Sequence, residues 1–291
     1  MLKKLKNFFR PKSVEEACSL LREKNSKNVL LAGGTNLAVT DDSSIEGLVD
    51  LKNLGLSYLI IDEKHIKIGA MTRIQEILKS SELKCPSGLL LKKASSLIGS
   101  TLLRNSITAG GNTFAVFPWS DLPPVMLALD AEFVVDNGPS QKVYKAVDFY
   151  RTRPSDVMQK DELLREILIP TSCSTVGTAF HKVAKTRNDF SMITVAVKLS
   201  LDVDKVIQDI RIALNAVCQR PMRCLSAEEF LKGKKAQISL FADAGKKALE
   251  SLPFTSDFRA SKEYREEVLP IFVKRCLAEA CKMIDPAFDR C

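Results

Sequence analysis

Two short stretches carry glycines where a ligand could be held. In "LLAGGTNLAV", Leu30 to Val39, the adjacent Gly33 and Gly34 follow an apolar run and precede Thr35 and Asn36. In "TAGGNTFAVFPWSD", Thr108 to Asp121, Gly110 and Gly111 stand before Asn112. Glycine lets the backbone reach positive φ or lets another group come into contact. A glycine turn at the end of a buried strand gathers backbone N–H groups around a concave spot, and such nests bind anions, phosphates above all. One isolated glycine pair is most often only a turn. Two nests placed side by side suit a pyrophosphate, with its charges on adjacent phosphates. Neither stretch is a G-x-G-x-x-G fingerprint and no G-x-x-x-x-G-K-[ST] occurs, so neither a Rossmann dinucleotide site nor a P-loop is indicated. The residues alone point to a diphosphate ligand such as a nucleotide.

Other chemistry is poorly supplied. His65 and His181 fall in no G-x-S-x-G or zinc-type setting, and no paired-carboxylate signature stands out. An enzyme built this way leaves the chemistry to a cofactor. The cysteines are Cys18, Cys85, Cys173, Cys218, Cys224, Cys276, Cys281 and Cys291, with no C-x-x-C among them. Their spacing matches no common zinc or iron–sulfur pattern, so all are read as reduced and structural, with Cys291 exposed and no metal held. The formal charge of +8 allows nucleic-acid binding, but the basic residues are scattered and segments such as "SKEYREEV" mix both signs. Nothing interleaves basic and aromatic residues as single-strand binders do, so the charge is assigned to solvated faces that could dock a more acidic partner.

The elements that must position the glycines follow from periodicity. At 291 residues and 45% hydrophobic, the chain can fill two or three cores. Ser13 and Glu16 form a capping box before Val14, Ala17, Cys18 and Leu21 at helical spacing. "NVLL", "GLVDL" and "HIKIGAM" read as short strands, with a helix capped by Thr72 and Gln75 and another near residues 87–97. "RNSITAGGN" reads as strand-like into the second glycine turn. A helix starts at Ser120 and Asp121 and runs to Leu129, with Pro123 and Pro124 in its first turn, where a missing N–H costs little. "AEFVV" and "ELLREILIP" are further strands. "SMITVAVKLSL" alternates, with Ile193, Val195, Val197, Leu199 and Leu201 opposite Thr194, Lys198 and Ser200, which predicts a half-buried antiparallel strand paired with "VIQDIRIALNAV". Ser226 and Glu229 predict another capping box, and Pro270 a kink or start in the last helix. The polar stretch "PTSCSTVG" places a domain boundary at residues 171–176, dividing the chain into 1–172 and 173–291. No apolar run approaches the ~20 residues of a membrane span, and "MLKKLKNFFRP" is not a signal peptide, so a cytoplasmic location is expected.

At "AGGTNL" and "TAGGN…SDLPP…ALDA" the sequence resembles the FAD-binding subunit or domain of the molybdenum hydroxylases, a family that includes xanthine dehydrogenase, carbon monoxide dehydrogenase and nicotinate-type dehydrogenases. "FHKVAKTRND" (Phe180 to Asp189) resembles that family's Phe-x-Lys and Arg-x-Asp segment, and "DFRASKEYREEVLPIFVKRCL" (Asp257 to Leu277) its Asp-x-Arg-Ala-Ser-x-x-Tyr-Arg signature. The likeness runs from Phe9 to about Ala280, with four motifs in order.

The resemblance implies an α+β chain: a PCMH-type FAD-binding fold of two α+β subdomains, then a C-terminal α+β domain of a small antiparallel sheet with helices. It implies that Leu30, Leu31, Ala32, Gly33, Gly34, Thr35, Asn36 and Leu37 form the first pyrophosphate loop. Thr108, Ala109, Gly110, Gly111 and Asn112 would form the second. Ile98 takes the place of a residue lining the flavin pocket, and Asp121 that of the acid bonded to the FAD chain. Leu164 and Lys182 fall at positions on the isoalloxazine side. Asn36 departs from the commoner Asp or Glu, which removes a charge near the diphosphate. Lys185 and Arg187 stand where an Arg-Arg pair is frequent, and no cysteine-bearing loop for a four-iron cluster is present. The implied function is electron transfer within a complex. A molybdopterin subunit would oxidise substrate, a small subunit with two-iron clusters would relay electrons, and FAD in this chain would pass them to an acceptor such as NAD. Two other readings stand beside this one. A free-standing PCMH-fold flavin oxidoreductase would need a longer chain with its own substrate domain, and a binding subunit that has lost FAD sits poorly with the intact glycines.

Overall fold

The computed structural model describes residues 5–23, 27–172, 175–250 and 252–288; Cys173 and Cys291 lie outside them. The chain opens with β1 (Asn7–Phe9), α1 (Val14–Arg22), β2 (Asn28–Leu31) and β3 (Gly47–Asp50), and the three strands pair in parallel in the order β1-β3-β2. Ser13 Oγ accepts from Glu16 N at 3.1 Å, while the Glu16 carboxylate reaches back to Lys12 N at 2.7 Å. Helix α1 buries Ala17, Cys18 and Leu21 against Val49, Leu51, Met71 and Leu163. This is the first subdomain.

The second subdomain contains β4 (Leu59–Ile61), β5 (His65–Gly69), α2 (Ile74–Lys79), α3 (Pro86–Ser96), α4 (Thr101–Arg104), α5 (Ala109–Ala115) and α6 (Leu122–Ala128). It continues through β6 (Glu132–Asp136), β7 (Gln141–Lys145), α7 (Ala146–Phe149), α8 (Pro154–Val157) and β8 (Leu163–Pro170). Its sheet is antiparallel in the order β4-β5-β8-β6-β7, so the last strand returns to the middle of the sheet. Ile66, Ile68, Phe133, Val135, Ile167 and Ile169 form one side of a core closed by the helices.

The third unit holds β9 (Val176–Val183), β10 (Ile193–Leu201), β11 (Ile207–Asn215), β12 (Met222–Arg223), α9 (Leu225–Leu231), α10 (Ile238–Lys247) and α11 (Lys262–Ile284). Its antiparallel sheet runs β12-β11-β10-β9, and β10 pairs with β11 as its alternation predicts. Ile193, Val195, Val197, Leu199 and Leu201 pack on α11 in a core shared with α9 and α10. The opposite face is not the polar face that the pattern predicts. Thr194 and Ala196 are fully buried, and Ala196, Ala213 and Phe180 join the core of the second subdomain beneath α6. Small residues there let a helix pack on a face that reads as exposed.

Four local expectations are corrected. The helix after residue 72 is entered at Arg73, whose N donates to Glu76 Oε2 at 2.6 Å. The buried Thr72 hydroxyl instead donates to Tyr58 O at 2.7 Å. Ser226 lies inside α9, donating to Lys247 O at 2.9 Å, and Cys224 holds the cap position. Pro270 does not mark the start of α11: Ser261 Oγ caps the helix at Tyr264 N, 3.2 Å, and Pro270 lies inside its 23 residues. The stretch before Gly110 is not a strand. It is α4 followed by one bridge, Thr108 with Arg73, and then α5.

Candidate functional site

The first glycine loop leaves β2 at Leu31 and passes through residues 32–36 into a short 3-10 turn, Leu37–Val39. Gly34 has φ +72°, the left-handed region that favours glycine, and a side chain there would meet only Leu31 Cδ1, at 3.4 Å. Gly33 is different. A Cβ on it would collide with the carbonyl oxygen of Ser106, so its bare Cα is what lets this loop lie on the segment leading to the second glycines. Arg73 fixes the same carbonyl with a hydrogen bond of 2.5 Å.

The amides of the two loops have different fates. Among the described residues, no backbone or side-chain acceptor takes the hydrogens of Gly33, Gly34, Thr35, Asn36 and Leu37 N. Such groups are rarely left without a partner except where water or a ligand supplies one. The second glycine pair is no loop but the first turn of α5, and its amides are already bonded: Ala109 N donates to Thr72 O at 2.8 Å, Gly110 N to Ala70 O at 2.9 Å, and Gly111 N to Thr108 Oγ1 at 3.1 Å. A Cβ on Gly110 would stand 2.7 Å from Ala70 Cβ, so this glycine also serves close packing. What the second stretch offers is side chains. Thr108 Oγ1 accepts from Gly111 N and keeps its own hydrogen, and Asn112 uses Oδ1 for Leu122 N at 3.3 Å, leaving its NH2 group. The expectation of two equivalent backbone nests is therefore corrected: the first loop leaves its amides unbonded among the described residues, while the second stretch bonds its amides and keeps two side-chain donors.

Asn112 links this region to α6 and so to a buried ion pair. Asp121 sits where α6 begins, but its side chain does not cap the helix. Asp121 Oδ2 pairs with Lys182 Nζ at 2.9 Å, and Oδ1 accepts from Ser191 Oγ at 2.6 Å. Both side chains of the pair are at most 5% exposed. Burial pushes the Asp121 carboxyl up, opposed by the Lys182 ammonium and the hydrogen bonds from Ser191 and Lys182. Lys182 also donates to Leu97 O at 2.9 Å, next to the buried Ile98, whose own carbonyl is held by Arg104 at 3.1 Å. Lys182 and Leu97 line an open pocket of about 190 Å³ with Ala184, Lys185, Thr186 and Arg187. Leu164 lies in β8, buried in the main core, on the strand that α5 packs against.

No side chain here is prepared for nucleophilic attack. Burial pushes the thiols of Cys18 and Cys224 up to about 11 and those of Cys218 and Cys281 to about 12. Among the described residues no cluster of histidine, cysteine or carboxylate could hold a metal, and no helix is long and apolar enough to cross a membrane. The first loop's unpaired amides, the open face of Gly34 and the donors of Thr108 and Asn112 fit the phosphates of a dinucleotide cofactor such as FAD.

A sequence profile described as the FAD binding domain in molybdopterin dehydrogenase matches residues 3–172, and one described as the CO dehydrogenase flavoprotein C-terminal domain matches residues 178–280. The chain belongs to the FAD-binding subunits of the molybdopterin dehydrogenases. It is thus an oxidoreductase subunit of the molybdenum hydroxylase family. It is 29% identical to the glyceraldehyde dehydrogenase medium chain of Sulfolobus acidocaldarius, over 94% of this chain and 97% of that one. It is 28% identical to the caffeine dehydrogenase subunit beta of a Pseudomonas species, over 96% and 95%. A solved structure of carbon monoxide dehydrogenase from Hydrogenophaga pseudoflava superposes with a TM-score of 0.91 at 27% identity, covering 97% of this chain and 99% of its counterpart. The PCMH-type α+β fold expected from the resemblance is the fold of this flavoprotein subunit.

Sequence reasoning missed three contributors to the site. The Ser106 carbonyl seats Gly33, Ser191 holds Asp121, and Arg259 supports both sides of that contact. Only Arg259 left a trace, as part of a motif whose task the sequence did not state.

Proposed function

We propose that this chain binds FAD between its two glycine loops and passes electrons from the two-iron clusters of a small partner subunit to NAD or another acceptor. A molybdopterin-binding large subunit carries out the substrate oxidation. The observation that carries this reading is the run of amides from Gly33 to Leu37 that find no acceptor among the described residues, on a loop that Gly33 seats against Ser106, two residues before Thr108. Leu30 to Leu37 form the wall of the diphosphate site and Thr108 to Asn112 its opposite side. Ile98 and Leu164 supply apolar surroundings for the ring system, and Asp121 holds Lys182 toward the pocket it shares with Leu97. FAD supplies the redox chemistry when bound; the protein orients it and excludes water. The chain works as two domains, 1–172 and 173–291, in the cytoplasm. Basic residues of the solvated faces guide an acidic partner, so assembly weakens as salt rises.

The test uses the purified full chain. It should show the visible absorbance of one bound flavin, contain neither iron nor molybdenum, and oxidise no purine, aldehyde or N-heterocycle alone. Adding both partner subunits should restore turnover. Substrate oxidation by this polypeptide alone would overturn the subunit assignment, and a chain that takes up no flavin would overturn the cofactor assignment.

A further inference from the structure

The signature at residues 257–265 forms a clamp whose reach extends beyond its own domain. Arg265 is fully buried; its Nε donates to Met192 O at 3.2 Å, its Nη1 to Thr255 O, and its Nη2 to Asp257 Oδ1 at 2.8 Å. Arg259, with a side chain 3% exposed, forks onto the same Asp257 carboxylate through Nε and Nη2. Its remaining Nη1 donates to two carbonyls, Ser191 O and, at 3.2 Å, Pro118 O. The guanidinium also lies over the Trp119 ring, 5.4 Å from its centroid.

Those two carbonyls flank the buried pair of the flavin site. Pro118 O lies on the turn that delivers Asp121, and Ser191 is the residue whose hydroxyl holds Asp121 Oδ1 while Lys182 holds Oδ2. One planar group thus fixes the spacing between the start of α6 and the loop joining β9 to β10. Lysine cannot reproduce this, because a single ammonium cannot grip Asp257 bidentately and still reach both carbonyls.

We propose that Arg259, locked by Asp257, is a positioning residue for the flavin site: by tying Pro118 and Ser191 together it sets Asp121, and through it Lys182, in place from the C-terminal domain. This rests on the proposal that FAD is bound here. The motif therefore acts on the cofactor without touching it.

The experiment is a double-mutant cycle in the full chain with Arg259→Lys, Ser191→Ala and both together, reading the Kd for FAD. Arg259→Lys should weaken FAD about tenfold or more, equivalent to roughly 1.4 kcal/mol. Because Arg259 acts in part through Ser191, the double variant should lose less than the sum of the two single losses. Additive losses, or unchanged FAD binding in Arg259→Lys, would overturn the proposal. A second readout needs no flavin. Trp119 is the only tryptophan; it stacks on Phe117 at 5.1 Å and lies under the Arg259 guanidinium. Acrylamide quenching of its fluorescence should rise in Arg259→Lys while circular dichroism stays native. If the unsubstituted chain takes up no FAD, the cofactor assignment fails by itself. The quenching arm then decides whether the clamp exists: unchanged quenching overturns it, and increased quenching supports the positioning of the Asp121 segment.

Discussion

The two glycine loops look alike in sequence and do opposite things with their backbones. The first leaves the amides of Gly33 to Leu37 without acceptors among the described residues, whereas the second bonds the amides of Ala109, Gly110 and Gly111 within the protein. Within each pair one glycine is there for the protein: Gly33 clears the Ser106 carbonyl and Gly110 clears Ala70. Gly34 is held at φ +72°, where a Cβ would meet only Leu31 Cδ1 at 3.4 Å, and a Cβ on Gly111 would meet only Thr108 Oγ1, at 2.9 Å. A Gly-Gly pair therefore mixes two physical demands, close packing and access, that its sequence does not separate.

Hydrogen exchange should break or sharpen this comparison most widely. In the flavin-free chain the amides of Gly33 to Leu37 should exchange fast, while Ala109 to Asn112 should be protected by bonds that open only with their subdomain. Adding FAD should slow the first set by orders of magnitude and barely move the second. Equal protection gained in both loops would restore the picture of two equivalent nests.

Gly33→Val should give the largest loss of stability, on the order of 3 kcal/mol, since overpacking against backbone has nowhere to relax. Its Tm and its flavin content should fall together. Gly34→Ala should cost about 1 to 2 kcal/mol through its left-handed conformation and leave the fold intact. A Gly33→Val chain with unchanged Tm but no flavin would mean that Gly33 faces the ligand, not Ser106.

Periodicity made many of the strands legible, though β1, β4, β7, β9 and β12 were not read from it. The alternation along β10 named its packed face, and the apolar runs of β2, β6 and β8 placed those strands. Helix entry was less legible, because a cap depends on which hydroxyl stays free: Thr72 is taken by Tyr58 and Ser226 by Lys247, so other residues begin those helices. The covered face of β10 was hidden because Thr194 and Ala196 give no hydrophobic signal at their positions. At the site, Asp121 and Lys182 emerged from separate motifs, yet their mutual pairing could not be read from residues 61 apart. Ser191 left no trace, since one serine in a loop means nothing until its partner is in place.

Thr108→Val tests the side-chain half of the comparison. Valine keeps the shape and removes the hydroxyl, so the cap on Gly111 N is lost and stability should fall by about 1 kcal/mol. If the hydroxyl also donates to a phosphate, FAD affinity should fall further, by roughly 1.5 to 3 kcal/mol as for a hydrogen bond to a charged group. Thermal unfolding and flavin titration separate the two effects. Reduced stability with full affinity would confine Thr108 to capping and leave Asn112 as the second loop's donor.

The smallest effect belongs to Asn36, and it follows from the same division of labour. Its side chain is exposed and makes no cap, while its carbonyl accepts from Val39 N and Thr40 N at 3.1 Å. If the first loop works through backbone amides, Asn36→Ala should change stability by less than about 0.5 kcal/mol, as at other exposed positions. Its Kd for FAD should stay near that of the unsubstituted chain. Asn36→Asp keeps the size and adds a charge beside the proposed diphosphate site. At an exposed position that repulsion is about 1 kcal/mol at most, and salt should screen it, so the variant's deficit should shrink between low and physiological ionic strength. Flavin titrations of both variants at two salt concentrations measure this. A tenfold loss in Asn36→Ala that salt does not change would mean that the loop recognises its ligand with this side chain, and the contrast between a backbone loop and a side-chain loop would fall.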